Sequence, residues 1–337
     1  MMYECLLLSD MYELDYQEVE ENNRSISDRY DFYAFNYHHL TMGWLDTTFV
    51  QKLPGLKLTF VLEVSPNNPF VLCPAEDFDV YCALDPTMKV SDKRVYAFPR
   101  PLEIPHKLTP YIEQRIPVIG SFGFATPGKG FELVVDAVNK EFDEAIVKIN
   151  LPSGTYADEA FWHLHKQNYA DYLTALCKET AKKTVQVIVT RDYMSKEELI
   201  EWCSQNTLNC FLYNRNQPGL SATTDQAISS GRPLAISNNS TFRHITSYIK
   251  PYPYRSLKES IAVSQSEVLQ MQKDWTPLNF SLKFQQVLAE YNLHPVSKDK
   301  QDENFLSLRV KMPAKWHQKK ISKLANKIKS SLSKHQI

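Results

Sequence analysis

The sequence predicts an α/β protein of two domains, on three observations. Its 337 residues exceed the usual content of one domain, about 100–200 residues. From residue 117 onward, apolar strand-like runs alternate with helical patterns. Before residue 100, short runs rich in aromatic and β-branched residues alternate with turn formers. Apolar residues make up 43% of the chain, enough to bury a substantial core.

In the first hundred residues, Tyr30 to Tyr37, Leu56 to Val64, Phe78 to Leu84 and Val95 to Phe98 read as buried strands. Turn formers such as Ser65-Pro66-Asn67-Asn68-Pro69 and Asp85-Pro86-Thr87 separate them. Helical periodicity is weak in this half. Pro99, Pro101, Pro105 and Pro110 then mark a linker, because proline donates no amide bond and disfavours helix before it.

Beyond the linker the order becomes regular. Strands are expected over Pro117–Phe124, Ala145–Leu151, Val185–Val189, Asn209–Tyr213 and Leu234–Ser237. Helices are expected over Phe131–Phe142, Asp158–Lys182, Ser195–Ser204 and Ser221–Ser230. Ser195 with Glu198 forms a capping-box pattern. Such alternation means parallel strands with crossover helices, a doubly wound sheet. Ligands in these sheets lie at the carboxyl ends of the strands, which gathers the loops at 121–130, 190–194 and 214–221. Two helical stretches follow, near 255–272 and 279–291.

Several classes are excluded or disfavoured. No apolar run reaches the length of a bilayer-spanning helix. The first eight residues lack the basic start of a secretory signal. The six scattered cysteines form no CxxC pair, so free thiols in a reducing compartment are expected. The formal charge of −1 hides an asymmetry: residues 305–337 hold nine Lys/Arg and no Asp/Glu, leaving 29 basic against 39 acidic residues elsewhere. Ile321, Leu324, Ile328 and Leu332 give this tail an apolar stripe beside Trp316. The stripe fits an anionic membrane surface, with docking onto the acidic body or a flexible end as alternatives. Nucleic acid is disfavoured, since basic residues elsewhere are not clustered with aromatics.

Two segments carry candidate chemistry. Gly120-Ser121-Phe122-Gly123-Phe124-Ala125-Thr126-Pro127-Gly128-Lys129-Gly130 runs from a strand end into a helix start. Its glycines admit close backbone approach and Lys129 adds a charge, which suits a diphosphate. An ordinary turn with a solvated lysine is the alternative. It is neither a Walker loop nor a dinucleotide fingerprint. The second segment, Tyr213 to Ala222, then Asp225-Gln226 and Ser230-Gly231-Arg232-Pro233, is a polar loop feeding a helix that Ser221 could cap.

Together these segments resemble the C-terminal domain of retaining GT-B glycosyltransferases of family 4 over residues 115–250. The resemblance implies two Rossmann-like domains, with the N-terminal one reduced. It implies an acceptor-side domain at 1–105, a nucleotide-sugar domain at 106–275, a C-terminal helix packing back at 276–300 and the basic tail at 301–337. It also implies transfer of a sugar, with retention, from a nucleotide-diphosphate sugar to a glycan or lipid-linked acceptor, without a metal. By position, Lys129 would hold the diphosphate, Gly120 and Gly123 would line the donor loop, and Leu220, Ser221 and Ala222 would offer amides. Gln217 belongs to the same loop. The family carries glutamates where this chain has Pro218 and Gln226; Gln226 can still bond a ribose hydroxyl. No basic residue precedes Lys129 in its loop, so Arg191 or Arg215 would compensate.

In the N-terminal half, His38 and His39 end a strand and are expected to orient the sugar or shuttle a proton. Glu63 and Asp85 are lesser candidates. A cytoplasmic enzyme, peripheral to a membrane, is the resulting expectation. The rival readings are a nucleotide-sugar epimerase and a non-catalytic binding or assembly protein.

Overall fold

The computed structural model describes residues 2–294 except 8–11, 20, 22–25, 27–28, 46, 155–167 and 217. The basic tail, the first part of the helix predicted over 158–182, and Gln217 lie outside the described residues.

The four strands expected in the first half form one parallel sheet in chain order: β1 (Phe32–Tyr37), β2 (Leu56–Val61), β3 (Val80–Ala83) and β4 (Val95–Ala97). Short helices α1 (Met2–Leu7), α2 (His39–Met42) and α3 (Thr47–Gln51) accompany them. Side chains alternate between two apolar clusters, as a pleated strand requires. Tyr33, Phe35, Tyr37, Tyr81 and Ala83 face one, and Leu58, Phe60, Val80 and Cys82 the other.

β2 stops short of the predicted Val64. The turn at Ser65–Asn68 closes at once through two reciprocal 3.1 Å bonds, with Asn67 at φ 56. Val64 is fully buried, but its carbonyl accepts from residues of the second half rather than from the sheet.

The second sheet has the order β7-β6-β5-β8-β9 and is parallel throughout. Its strands are β5 (Val118–Phe122), β6 (Ala145–Asn150), β7 (Val185–Thr190), β8 (Leu208–Phe211) and β9 (Leu234–Ile236). The helices are α4 (Phe131–Glu141), α5 (Tyr169–Thr180), α6 (Lys196–Ser204), α7 (Thr223–Ser229) and α8 (Leu257–Asp274). Both halves of the Ser195/Glu198 capping box are made. The chain winds outward from β5 to β7, then returns to the other side of β5 at β8. Strand order therefore reverses between β5 and β8, the position where ligands bind such sheets.

Residues 99–117 are fastened to the second sheet's helices rather than loose. Leu102 is buried and its amide bonds Trp275 O at 2.8 Å. Arg100 grips Asp225 with bonds of 2.6–3.1 Å, and Glu103 pairs with Lys196. The last helix, α9 (Pro277–Glu290), crosses back to the first sheet. There Phe280, Phe284, Val287 and Leu288 cover Leu58, Phe60, Val80, Cys82 and Phe98. Truncating such a fully buried phenylalanine costs about 3–5 kcal/mol. All six cysteines are free and buried.

Candidate functional site

The site begins where β5 ends. Gly123 at φ 144 turns the chain out of the strand, a conformation closed to most side chains. A Cβ there would lie 3.5 Å from Lys129 Nζ and 3.4 Å from Thr223 Cγ2, so the bare glycine leaves room for a ligand beside the lysine. Lys129 Nζ donates to Tyr213 Oη at 2.9 Å and sits 4.4 Å from the centre of that ring.

Tyr213, at the exit of β8, is buried, and its hydroxyl is 2.9 Å from Thr223 Oγ1. Ser221 Oγ closes the group, 2.7 Å from Thr223 Oγ1 and donating to Tyr213 Oη at 3.3 Å. Burial pushes the phenol pKa up, but Lys129 and the bonds from Lys129, Ser221 and Thr223 outweigh it and hold Tyr213 below the ordinary tyrosine value. Arg215 lies over the same ring at 5.8 Å, and its Nε is buried with no hydrogen-bond partner among the described residues. Two cations thus flank one phenol at the switch point. Such a place favours an anion with several acceptor oxygens.

The structure revises several expected positions. Gly120 lies inside β5, not in the loop, and Asn206 packs on it so closely that a Cβ would come 1.9 Å from Asn206 Nδ2. Ser221 does not cap α7. Ala222 precedes the helix without a side-chain cap bond, and the Ser221 hydroxyl is spent in the Tyr213–Thr223 group. The Ser221 amide is also taken, by Thr241 O at 3.2 Å. The amides of Leu220 and Ala222 have no partner among the described residues. Arg191 is turned onto α5, bonding Asp171 at 2.6 Å and Thr174 at 3.2 Å, whereas Arg215 stands beside Lys129. Gln226 is half-buried on α7.

The first sheet brings the carboxyl ends of β1 and β2 to the same region. His38 and His39 stack with centres 4.9 Å apart, and His38 Nε2 is 3.9 Å from Glu63 Oε1. Glu63 in turn lies against the loop before Ser221: a Cβ on Gly219 would be 3.6 Å from Glu63 Cγ. The neighbouring Val64 carbonyl accepts from Gly219 N at 3.0 Å and Arg243 Nη2 at 2.8 Å. Asp85, a lesser candidate, is structural. Its buried carboxylate accepts from Thr87 and, at 2.7 Å, from Arg243 Nε.

Sequence reasoning missed Arg243 and the buried His244 beside it. His244 stacks on Trp275 at 5.7 Å, and neither ring nitrogen has a hydrogen-bond partner among the described residues. No motif marks either residue; only the tertiary contact does.

No family model matches the chain, and no curated protein matches it by sequence. Solved structures do. Trehalose-6-phosphate synthase from E. coli, bound with UDP-2-fluoro glucose, superposes with a TM-score of 0.54 at 13% identity, covering 79% of this chain and 73% of that one. An α,α-trehalose-phosphate synthase (UDP-forming) from Burkholderia vietnamiensis gives 0.53 at 11%, covering 78% and 74%. Anabaena HepE in complex with UDP-glucose gives 0.54 at 9%, covering 77% and 79%. The chain therefore has the GT-B fold.

Proposed function

We propose that this chain is a glycosyltransferase that takes its sugar from a nucleotide-diphosphate sugar. The observation that carries the reading is the Lys129–Tyr213–Arg215 group at the switch point between β5 and β8. The diphosphate would take Lys129 Nζ and the unpartnered Arg215 Nε, with the amides of Leu220 and Ala222 beside them. Cations and oriented amides fixed in place stabilise charge as it develops on a leaving diphosphate, and they do so without reorganising at that moment. No metal is invoked.

The sugar would extend toward the first sheet, where Glu63 and His38 meet Gly219. Pro218 offers no carboxylate to the loop, and Glu63 reaches it from the other half. His38, with His39 stacked on it, would orient a hydroxyl or move its proton. The acceptor would be a glycan or a lipid-linked sugar, and transfer would retain the anomeric configuration. The chemistry named for the structural relatives, UDP-2-fluoro glucose and UDP-glucose, supports this donor class.

Calorimetry with UDP, GDP, CDP and ADP tests the reading. At least one is expected to bind, and Lys129→Ala is expected to weaken it about 10- to 100-fold, the loss of a charged hydrogen bond. If none binds, or Lys129→Ala binds as well as the parent chain, the proposal fails. A non-catalytic binding protein is the second reading, favoured by the neutral Pro218. It predicts binding with no consumption of the nucleotide sugar under any acceptor.

A further inference from the structure

The backbone on either side of Lys129 is fastened to the exit of β8. Asn214 N donates to Gly128 O at 2.9 Å, and Gly130 packs directly against the Leu212 carbonyl. Tyr213 lies between those two contacts in the chain, and the Lys129 side chain lies on it. The lysine is therefore held by a phenol and not by a carboxylate. Among the described residues, neither Lys129 nor Arg215 pairs with an acid; Asp225 is taken by Arg100 and Asp85 by Arg243. The kind of partner matters. A buried carboxylate would neutralise the ammonium and compete with any anion that approached it. A neutral phenol orients the ammonium with one hydrogen bond and the negative face of its ring, and leaves the whole charge for a ligand.

The phenol is also placed to change its charge. Tyr213 is 3% exposed, and its oxygen accepts from Lys129 Nζ and Ser221 Oγ and shares a hydrogen with Thr223 Oγ1. Either hydroxyl of that last pair can donate. When the phenol proton leaves for solvent, Thr223 can turn its own hydrogen inward, and three donors then surround the phenolate. Burial opposes that ionisation, but Lys129 and the three bonds bring the phenol below the ordinary tyrosine value. The other groups against the ring carry no negative charge: Arg215 from the loop after β8, Phe211 from β8 and Phe242 from the turn before Arg243.

We infer that Tyr213 is the positioning residue for Lys129 and regulates the charge of the anion site: the neutral phenol presents the ammonium to a ligand, and the phenolate takes it for itself. The inference rests on the diphosphate reading of Lys129. Anion binding and ionisation of Tyr213 oppose each other, and by linkage each weakens the other by the same factor. Nucleotide affinity is therefore expected to fall as pH rises through the Tyr213 titration.

The test is calorimetry at several pH values between about 7 and about 9.5, with whichever of UDP, GDP, CDP and ADP binds most tightly, on the parent chain and on Tyr213→Phe. The ligand's own ionisation is common to both proteins and cancels in the ratio of their affinities. The phenylalanine keeps the ring and loses the oxygen, so near pH 7 it is expected to bind about 3- to 10-fold more weakly, the scale of one hydrogen bond. Over the interval the parent should lose at least about five-fold more affinity than the variant. A second measurement, the ultraviolet absorbance of tyrosinate, needs no ligand. One of the 18 tyrosines should ionise ahead of the rest, and Lys129→Met should move that step up by at least about one pH unit. Parallel affinity profiles, or an early tyrosinate step that Lys129→Met leaves in place, overturn the role of Tyr213. If Lys129→Ala still weakens binding in that case, the diphosphate site stands. If no nucleotide binds at any pH, both readings fall.

Discussion

Gly130 opens α4 at φ 66, and a Cβ there would fall 2.0 Å from the Leu212 carbonyl oxygen. An alanine has neither the conformation nor the space, so the loop carrying Lys129 or the exit of β8 must move. Gly130→Ala is expected to lower stability by about 2–4 kcal/mol, read as a fall in urea midpoint, and to weaken nucleotide binding with it. His244 makes the opposite case, a polar residue whose surroundings refuse its charge. Burial first, then the guanidinium groups of Arg100 and Arg243, hold its pKa well below the ordinary 6.5. Arg100 is paired with Asp225, Arg243 with Asp85, and Tyr248 beside Trp275 with Asp274. The unfolded chain takes up this proton below about 6.5 while the folded chain does not. The contribution is therefore complete above that pH and shrinks by about 1.4 kcal/mol per unit as pH falls below it. Denaturation at pH 7.5 and 5.5 should show that His244→Gln loses less stability over the interval than the parent chain. Equal losses would show that His244 is not the group responsible.

Elements were legible where one short stretch holds all their physics. The Ser195/Glu198 pair announces α6, and both bonds form. The strands of both sheets follow from their aromatic and β-branched runs. Boundaries failed where distant residues decide them. β2 ends at Val61 because Val64, apolar enough to continue it, is claimed by Gly219 and Arg243. Ser221 has the residue type of a helix cap, but Tyr213 and Thr223 bind its hydroxyl first. Gly120 belongs by sequence to the glycine loop, and only the packing of Asn206 shows that it serves the strand. The contact of Lys129 with Tyr213 went unread for the same reason: nothing local says that two residues 84 positions apart meet.

At the scale of the molecule, two sheets meet along a short polar seam and are tied again by α9. At that seam Asp85 is almost fully buried, and Arg243 supplies its charged partner as well as a bond to Val64 O. Removing one member leaves a buried charge alone, so Arg243→Ala is expected to cost about 3–5 kcal/mol in urea denaturation. The double variant with Asp85→Asn should cost less than the sum of the two single changes, and strict additivity would rule out the coupling. Composition and periodicity alone determined the α/β class, the two sheets, the position of Lys129 after β5 and the polar loop after β8, because apolar spacing and turn chemistry act over a few residues. Which cation shares the Tyr213 ring with Lys129 and which carboxylate reaches the Gly219 loop were decided only by the tertiary structure. Charges, rings and carbonyls far apart in the chain interact through space, and the order of residues does not record that distance.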